Sequence, residues 1–174
     1  MAAKLKKLLK RDVFALAEGQ ALGQPADLLV DAERHRVALL LLTAGSVPET
    51  SVVAPASAVQ SFDSDTLAIE GLGSLRVAGQ DETTLELLRH GLGRRGRPVL
   101  NGEGRRLGRI TEVLIDESGA VTEYRVRKRY LGALKTRLGV RPAQLRAPAG
   151  EFAIVDQRND GAADRARENG EQAR

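Results

Sequence analysis

The stretch beginning at Gly19, GQALGQPADLLVD, returns at Gly104 as GRRLGRITEVLID, a constant offset of 85 residues. Gly19 matches Gly104, Leu22 matches Leu107, Gly23 matches Gly108, Val30 matches Ile115 and Asp31 matches Asp116. After one extra residue in the first copy, Val37–Leu42 aligns with Val121–Val126. Each copy then carries a proline step (Pro55, Pro142) and a short apolar run, Leu67–Ile69 and Phe152–Val155. Self-similarity at domain spacing sets the folding unit before any other feature does. A chain of 174 residues holds two such units of about 70 residues, with a connector and a tail.

Each copy reads as a series of short strands. Leu107–Ile115 mixes branched and polar residues, Glu117-Ser-Gly119 forms a turn, and Val121–Tyr130 alternates as a half-buried strand does. Gly19 and Gly104 supply positive φ in tight turns. Gly23 and Gly108 mark a bulge or a close backbone approach. Short strands at this spacing favour small barrels, which remove exposed edges by closing on themselves. Between the copies, Thr83 with Glu86 resembles a capping box, Leu85, Leu87 and Leu88 give an apolar side, and Gly91 stops the helix. The tail from Gln157 has no apolar residue larger than Ala and is expected to be disordered.

Composition removes several classes of function. There is no Cys, so no disulfide framework, thiolate metal site or cysteine nucleophile. The longest purely apolar run, Val37–Leu42, falls far short of the roughly 20 residues of a membrane span. Lysines scattered through 1–12, with no small-residue cleavage site, argue against a signal peptide. The expected location is the cytoplasm, with peripheral contact at a membrane as the alternative. Lys4–Lys10 reads as an element leading into the first strand in preference to a membrane-surface stub.

Charge is segregated along the chain. Residues 1–11 carry five Lys and Arg and no acid. Residues 12–88 hold three arginines against twelve Asp and Glu, and residues 89–146 hold fifteen basic residues against five acids. The acidic and basic halves either attract each other or serve solubility, or the basic half faces an anionic partner.

With Leu22, Gly23, Asp27, Leu28, Val30 and Asp31 in one copy, and Leu107, Gly108, Glu112, Val113, Ile115 and Asp116 in the other, the repeat resembles the PRC-barrel family. That small β-barrel occurs in photosynthetic reaction-centre H subunits and in ribosome maturation factors, and the two copies cover most of Lys7 to Asp156. The first copy departs from the pattern in its longer turn, Ala32–Arg36, and its leucine-rich strand. The second lacks a residue near Leu145. The resemblance implies a mainly β chain of two PRC-type barrels in tandem. These are a first barrel at 1–76, a connector with a short helix at 77–96, a second, basic barrel at 97–157 and a disordered tail at 158–174. It also implies a scaffold for contacts with protein, RNA or membrane complexes, with no shared catalytic residues to carry over.

The residues themselves show no catalytic constellation. His35 in a polar turn and His90 at the end of the connector helix are expected to be solvated, and they share no metal-ligand spacing. Asp31 and Asp116 sit where a turn aspartate bonds its own backbone. Neither Gly71-Leu-Gly73 nor Gly91-Leu-Gly93 follows a strand and opens a helix, as a phosphate loop must. No enzyme activity, cofactor, metal or small-molecule substrate is expected.

Two surfaces are candidates. In Glu123–Tyr130, period-two geometry sends Arg125, Arg127 and Arg129 to one side, and Tyr124, Val126 and Tyr130, with Lys128, to the other. Lys135, Arg137, Arg141 and Arg146 follow, and Arg94, Arg95, Arg97, Arg105, Arg106 and Arg109 precede. Arg125, Arg127, Arg129, Lys135, Arg137 and Arg141 form the candidate anion or RNA surface, since the guanidinium fork suits phosphate. In the first copy the positions of Glu123, Arg125 and Arg127 are held by Leu39, Leu41 and Thr43. Leu39 and Leu41 are either covered by the connector helix or the other barrel, or form a docking patch. The expected function is an interaction or assembly module that binds a protein partner or a second copy of itself. RNA or ribosome binding is the alternative, and attachment to an anionic membrane surface or membrane complex is a third reading.

Overall fold

The computed structural model describes residues 2–93, 96–128, 137–146 and 151–156. The expected disorder of the tail lies outside these residues, as do Arg129, Tyr130 and Lys135. The chain begins with β1 (Ala3–Lys4) and one helical turn, α1 (Leu5–Leu8). The first repeat then forms β2 (Val13–Ala15), β3 (Gln20–Gly23), β4 (Asp27–Asp31), β5 (Arg36–Thr43), β6 (Val52–Pro55) and β7 (Leu67–Ile69). The connector supplies β8 (Arg76–Val77) and α2 (Glu82–His90). The second repeat forms β9 (Pro98–Asn101), β10 (Arg106–Ile115), β11 (Val121–Arg127), β12 (Arg137–Val140), β13 (Leu145–Arg146) and β14 (Ala153–Val155). The chain is mainly β, with several sheets and few helices.

The duplication is visible in strand pairing. In the first repeat β2 lies antiparallel to β3 and parallel to β7, while β4, β5 and β6 form an antiparallel run. In the second, β9 lies antiparallel to β10 and parallel to β14, while β10, β11 and β12 form the antiparallel run. The single bridge Val59–Ile69 has its counterpart in Leu145–Val155 of the β13–β14 pair. One difference has a simple cause. β10 is continuous, and Ile110 donates its amide to the Arg97 carbonyl at 2.9 Å. Its counterpart in the first repeat is the buried Pro25, which has no N–H to donate, and the strand breaks there into β3 and β4. The first repeat therefore divides into a three-stranded and a four-stranded sheet, whereas the second makes one sheet in the order β12-β11-β10-β9-β14-β13. The two ends of that order, β12 and β13, are consecutive in the chain across the 3-10 turn Pro142–Gln144. Among the described residues no ladder joins them.

The glycines of the repeat take conformations that need them. Gly19 and Gly104 have φ of 61° and 79°. At Gly108, a Cβ would stand 2.1 Å from the Arg127 carbonyl oxygen, so only glycine lets β10 and β11 meet there. The register slips beside it, between Arg106 and Gly108. Asp31 accepts amides from Glu33 and Arg34 at 3.0 and 3.1 Å, and Asp116 accepts those of Ser118 and Ala120 at 2.9 and 3.0 Å.

The two repeats share one core. Leu28, Val30, Val37 and Leu40 from the first pack in the same buried cluster as Val113, Ile115, Tyr124 and Val126 from the second. Leu5, Leu8 and Leu9 join this cluster while Lys6, Lys7 and Lys10 stay exposed, which makes the N-terminal stretch a fold element. Full burial of each such leucine contributes about 1.5–3 kcal/mol. The segments leading into the repeats are also exchanged. Ala3, ahead of the first repeat, pairs with Ile115 of the second, and Leu92, ahead of the second, bridges Val30 of the first. Helix α2 is capped by Asp81, not Thr83. The Asp81 carboxylate accepts the amides of Thr83 and Thr84 at 3.2 and 3.3 Å and the Thr84 hydroxyl at 2.6 Å. The hydroxyl bond, followed by the two amides, holds the Asp81 carboxyl below its ordinary pKa.

Candidate interaction surface

On β11 the alternation holds among the described residues. Tyr124 and Val126 are buried, Arg125 is half-buried and Arg127 is exposed. Arg137 and Arg141 are exposed as well. The register adds a residue from another strand. Arg109 on β10 stands directly opposite Arg127 on β11, which stands directly opposite Arg137 on β12. Directly opposed residues project from the same face, and neighbouring strands are about 4.8 Å apart. Three exposed guanidinium side chains thus form a row across three strands.

The neutralisation of this face is uneven. Arg125 is paired with Glu123, Nε to Oε1 at 2.9 Å, and Arg146 with Asp156 at 2.9 Å. Arg109 donates to the Gly96 carbonyl at 3.4 Å. Among the described residues neither Arg127 nor Arg137 makes an ion pair or a side-chain hydrogen bond. Like charges directly opposed across strands destabilise a sheet, so the row is a local cost in the isolated protein. The corresponding positions of the first repeat hold Gln24, Thr43 and Ser51.

The same face differs between repeats beyond the row. In the first, Leu29, Leu39 and Val53 form a second apolar cluster beneath Leu87 and Leu88 of α2. Leu39 is 6% exposed, and Leu41 is half-buried at the cluster's margin. An ion pair between Arg89 and Glu49 at 2.9 Å fastens the helix. In the second repeat the equivalent positions are Leu114, Glu123 and Gly139, and among the described residues no helix lies over them. Residue chemistry follows coverage: leucine where α2 sits, charge and glycine where the face is open.

His35 is not simply a solvated turn residue. It is half-buried with φ of 51°, and its Nδ1 lies 3.0 Å from the hydroxyl of Tyr124 in the other repeat. The two rings meet edge to face with centroids 5.8 Å apart. Burial pushes the imidazole pKa down, opposed by the nearby Asp31 charge. Burial, then Asp31, pushes the Tyr124 phenol up. Beside this junction a cleft of about 330 Å³ is lined by Asp31, Glu33, Glu86, His90 and Arg97. The Arg97 side chain donates to the His90 carbonyl, and burial lowers its pKa.

Compared with known proteins, the chain matches no family model and no curated sequence. Among the described residues no helix is long and apolar enough to cross a membrane.

Proposed function

We propose that this chain is a non-enzymatic interaction module, built of two PRC-type barrels, that docks an acidic protein partner on the open sheet face of the second repeat. The observation that carries the reading is the Arg109–Arg127–Arg137 row. Three adjacent, exposed cations without a carboxylate partner among the described residues are costly alone and are relieved by an anionic surface. The contact is assigned to the second repeat because α2 lies over Leu39 in the first. The barrel reading is supported by the strand pairing repeated in both halves, where β2 and β9 each lie between one antiparallel and one parallel neighbour.

RNA is the second reading, because an arginine row also suits successive phosphates. Against it, Tyr124 points into the core and offers no base a stacking platform. Fluorescence anisotropy with a polyglutamate peptide and an oligouridylate separates the two. The wild type is expected to bind polyglutamate, and the triple variant R109T/R127T/R137T to bind it about tenfold or more weakly. Tighter binding of oligouridylate, with a log–log salt slope of about −2 for three phosphates, would replace this reading with RNA.

A further inference from the structure

We infer that the outer edge of β12 takes up an extended, acidic segment of the partner as an additional antiparallel strand. The inference rests on the reading above and specifies how the partner is held.

The first repeat shows how such an edge is finished. Its counterpart of β12 is β6, and β8 pairs along it with Val52 opposite Val77 and Val53 opposite Arg76. Ala78 extends the ladder by donating its amide to the Ser51 carbonyl at 2.9 Å. The pairs Leu40–Ala54 and Tyr124–Val140 are equivalent, so Ser51, Val52 and Val53 correspond to Arg137, Leu138 and Gly139. All three are exposed, and Leu138 keeps 38% of its surface in water. Among the described residues no strand pairs with the outer side of β12.

The polar groups on that edge are set by alternation. Because the Ser51 carbonyl faces β8, the peptide groups of Val53 do so too, and by equivalence those of Arg137 and Gly139 point outward. Unpaired outward groups are a template for strand addition. Gly139 carries no side chain of its own, and the Glu123 carboxylate that lies against it is already neutralised by Arg125. The charge beside the edge selects the occupant. A second copy pairing antiparallel through the same edge would bring two Arg137 side chains together, with Arg127 and Arg109 behind them. An acidic strand meets the same row with attraction.

The probe is a labelled synthetic peptide spanning Glu70–Asp81, the chain's own edge-capping segment, carrying Arg76→Glu. It is titrated into the full-length protein and followed by anisotropy. The expected result is saturable binding that weakens about tenfold or more when the peptide is N-methylated at positions 76 and 78. This change removes two hydrogen bonds and leaves every side chain in place. Gly139→Pro in the protein, which deletes an outward N–H at a position proline tolerates on an edge strand, should weaken binding similarly. Equal binding of the methylated and unmethylated peptides would overturn strand addition while leaving the acidic partner standing. If neither this peptide nor polyglutamate binds, the basic face itself is not the docking surface and both proposals fall.

Discussion

Val37 and Val121 hold the same position in the two repeats, and each donates its amide across the junction to the turn that precedes the other. The Val37 N–H meets the Gly119 carbonyl and the Val121 N–H meets the His35 carbonyl, both at 2.8 Å. Such reciprocity is the signature of an isologous contact, in which one patch meets its own copy. The exchanged segments at Ala3–Ile115 and Leu92–Val30 follow the same rule. The repeats therefore stand to each other as the halves of a two-fold pair within one chain.

The junction depends on Gly119. Its φ is 84°, and a Cβ there would lie 2.8 Å from the Phe62 ring. Gly119→Ala should lower stability by about 2–3 kcal/mol, from backbone strain plus displacement of Phe62. Gly19→Ala, with φ of 61° and open space around it, should cost about 1 kcal/mol. Urea denaturation of both variants checks the difference.

Leu39 supports α2. Leu39→Ala should destabilise the protein by about 2–4 kcal/mol, because it empties space beneath Leu87 and Leu88. Leu41→Ala, at the half-buried margin, should cost about 1 kcal/mol. Equal and negligible costs in denaturant titrations would mean that α2 does not hold this face.

The arginine row should make itself felt without any partner. Arg127→Thr, which installs the residue found at the first repeat's equivalent position, should stabilise the free protein by about 0.2–1 kcal/mol in low salt. The gain should vanish near 1 M salt, where screening acts over about 3 Å. Melting curves at two ionic strengths measure it.

His35 makes stability depend on pH. Its folded pKa lies below the ordinary 6.5 because burial favours the neutral ring. The unfolded chain therefore binds the proton more readily, and stability falls as pH drops through 6.5 until the folded form also protonates. His35→Asn tolerates the left-handed backbone and removes the titration. Wild type should lose melting temperature relative to this variant between pH 7 and 5, and the two should run parallel above pH 7.

What can be read from the chain alone is what local chemistry determines. The repeat, the turn aspartates Asp31 and Asp116, the glycine turns and the alternation of Tyr124 and Val126 against Arg125 and Arg127 all express short-range rules. Position along the chain says less about partners from other elements. Arg109 joins Arg127 and Arg137 only through a register that shifts between Ile110 and Glu112, and a bulge of that kind has no sequence signature of its own. His35 and Tyr124 meet because the repeats pack as a reciprocal pair, which their spacing does not disclose. Pro25 carried a readable signal for the break between β3 and β4, since proline cannot serve a ladder. Asp81 takes the cap from Thr83 because its carboxylate reaches the amides two and three residues on, those of Thr83 and Thr84.

The most direct test asks whether the position of charge matters, or only its amount. Two triple variants remove the same net charge: R109T/R127T/R137T removes the row, and R34T/R105T/R106T removes three arginines outside it. Binding of polyglutamate to each is measured by anisotropy at matched ionic strength. Affinity is expected to collapse for the row variant and to stay close to wild type for the other. Equal loss in both would show that the chain attracts acidic partners through bulk charge, and would contradict a docking site on the second repeat.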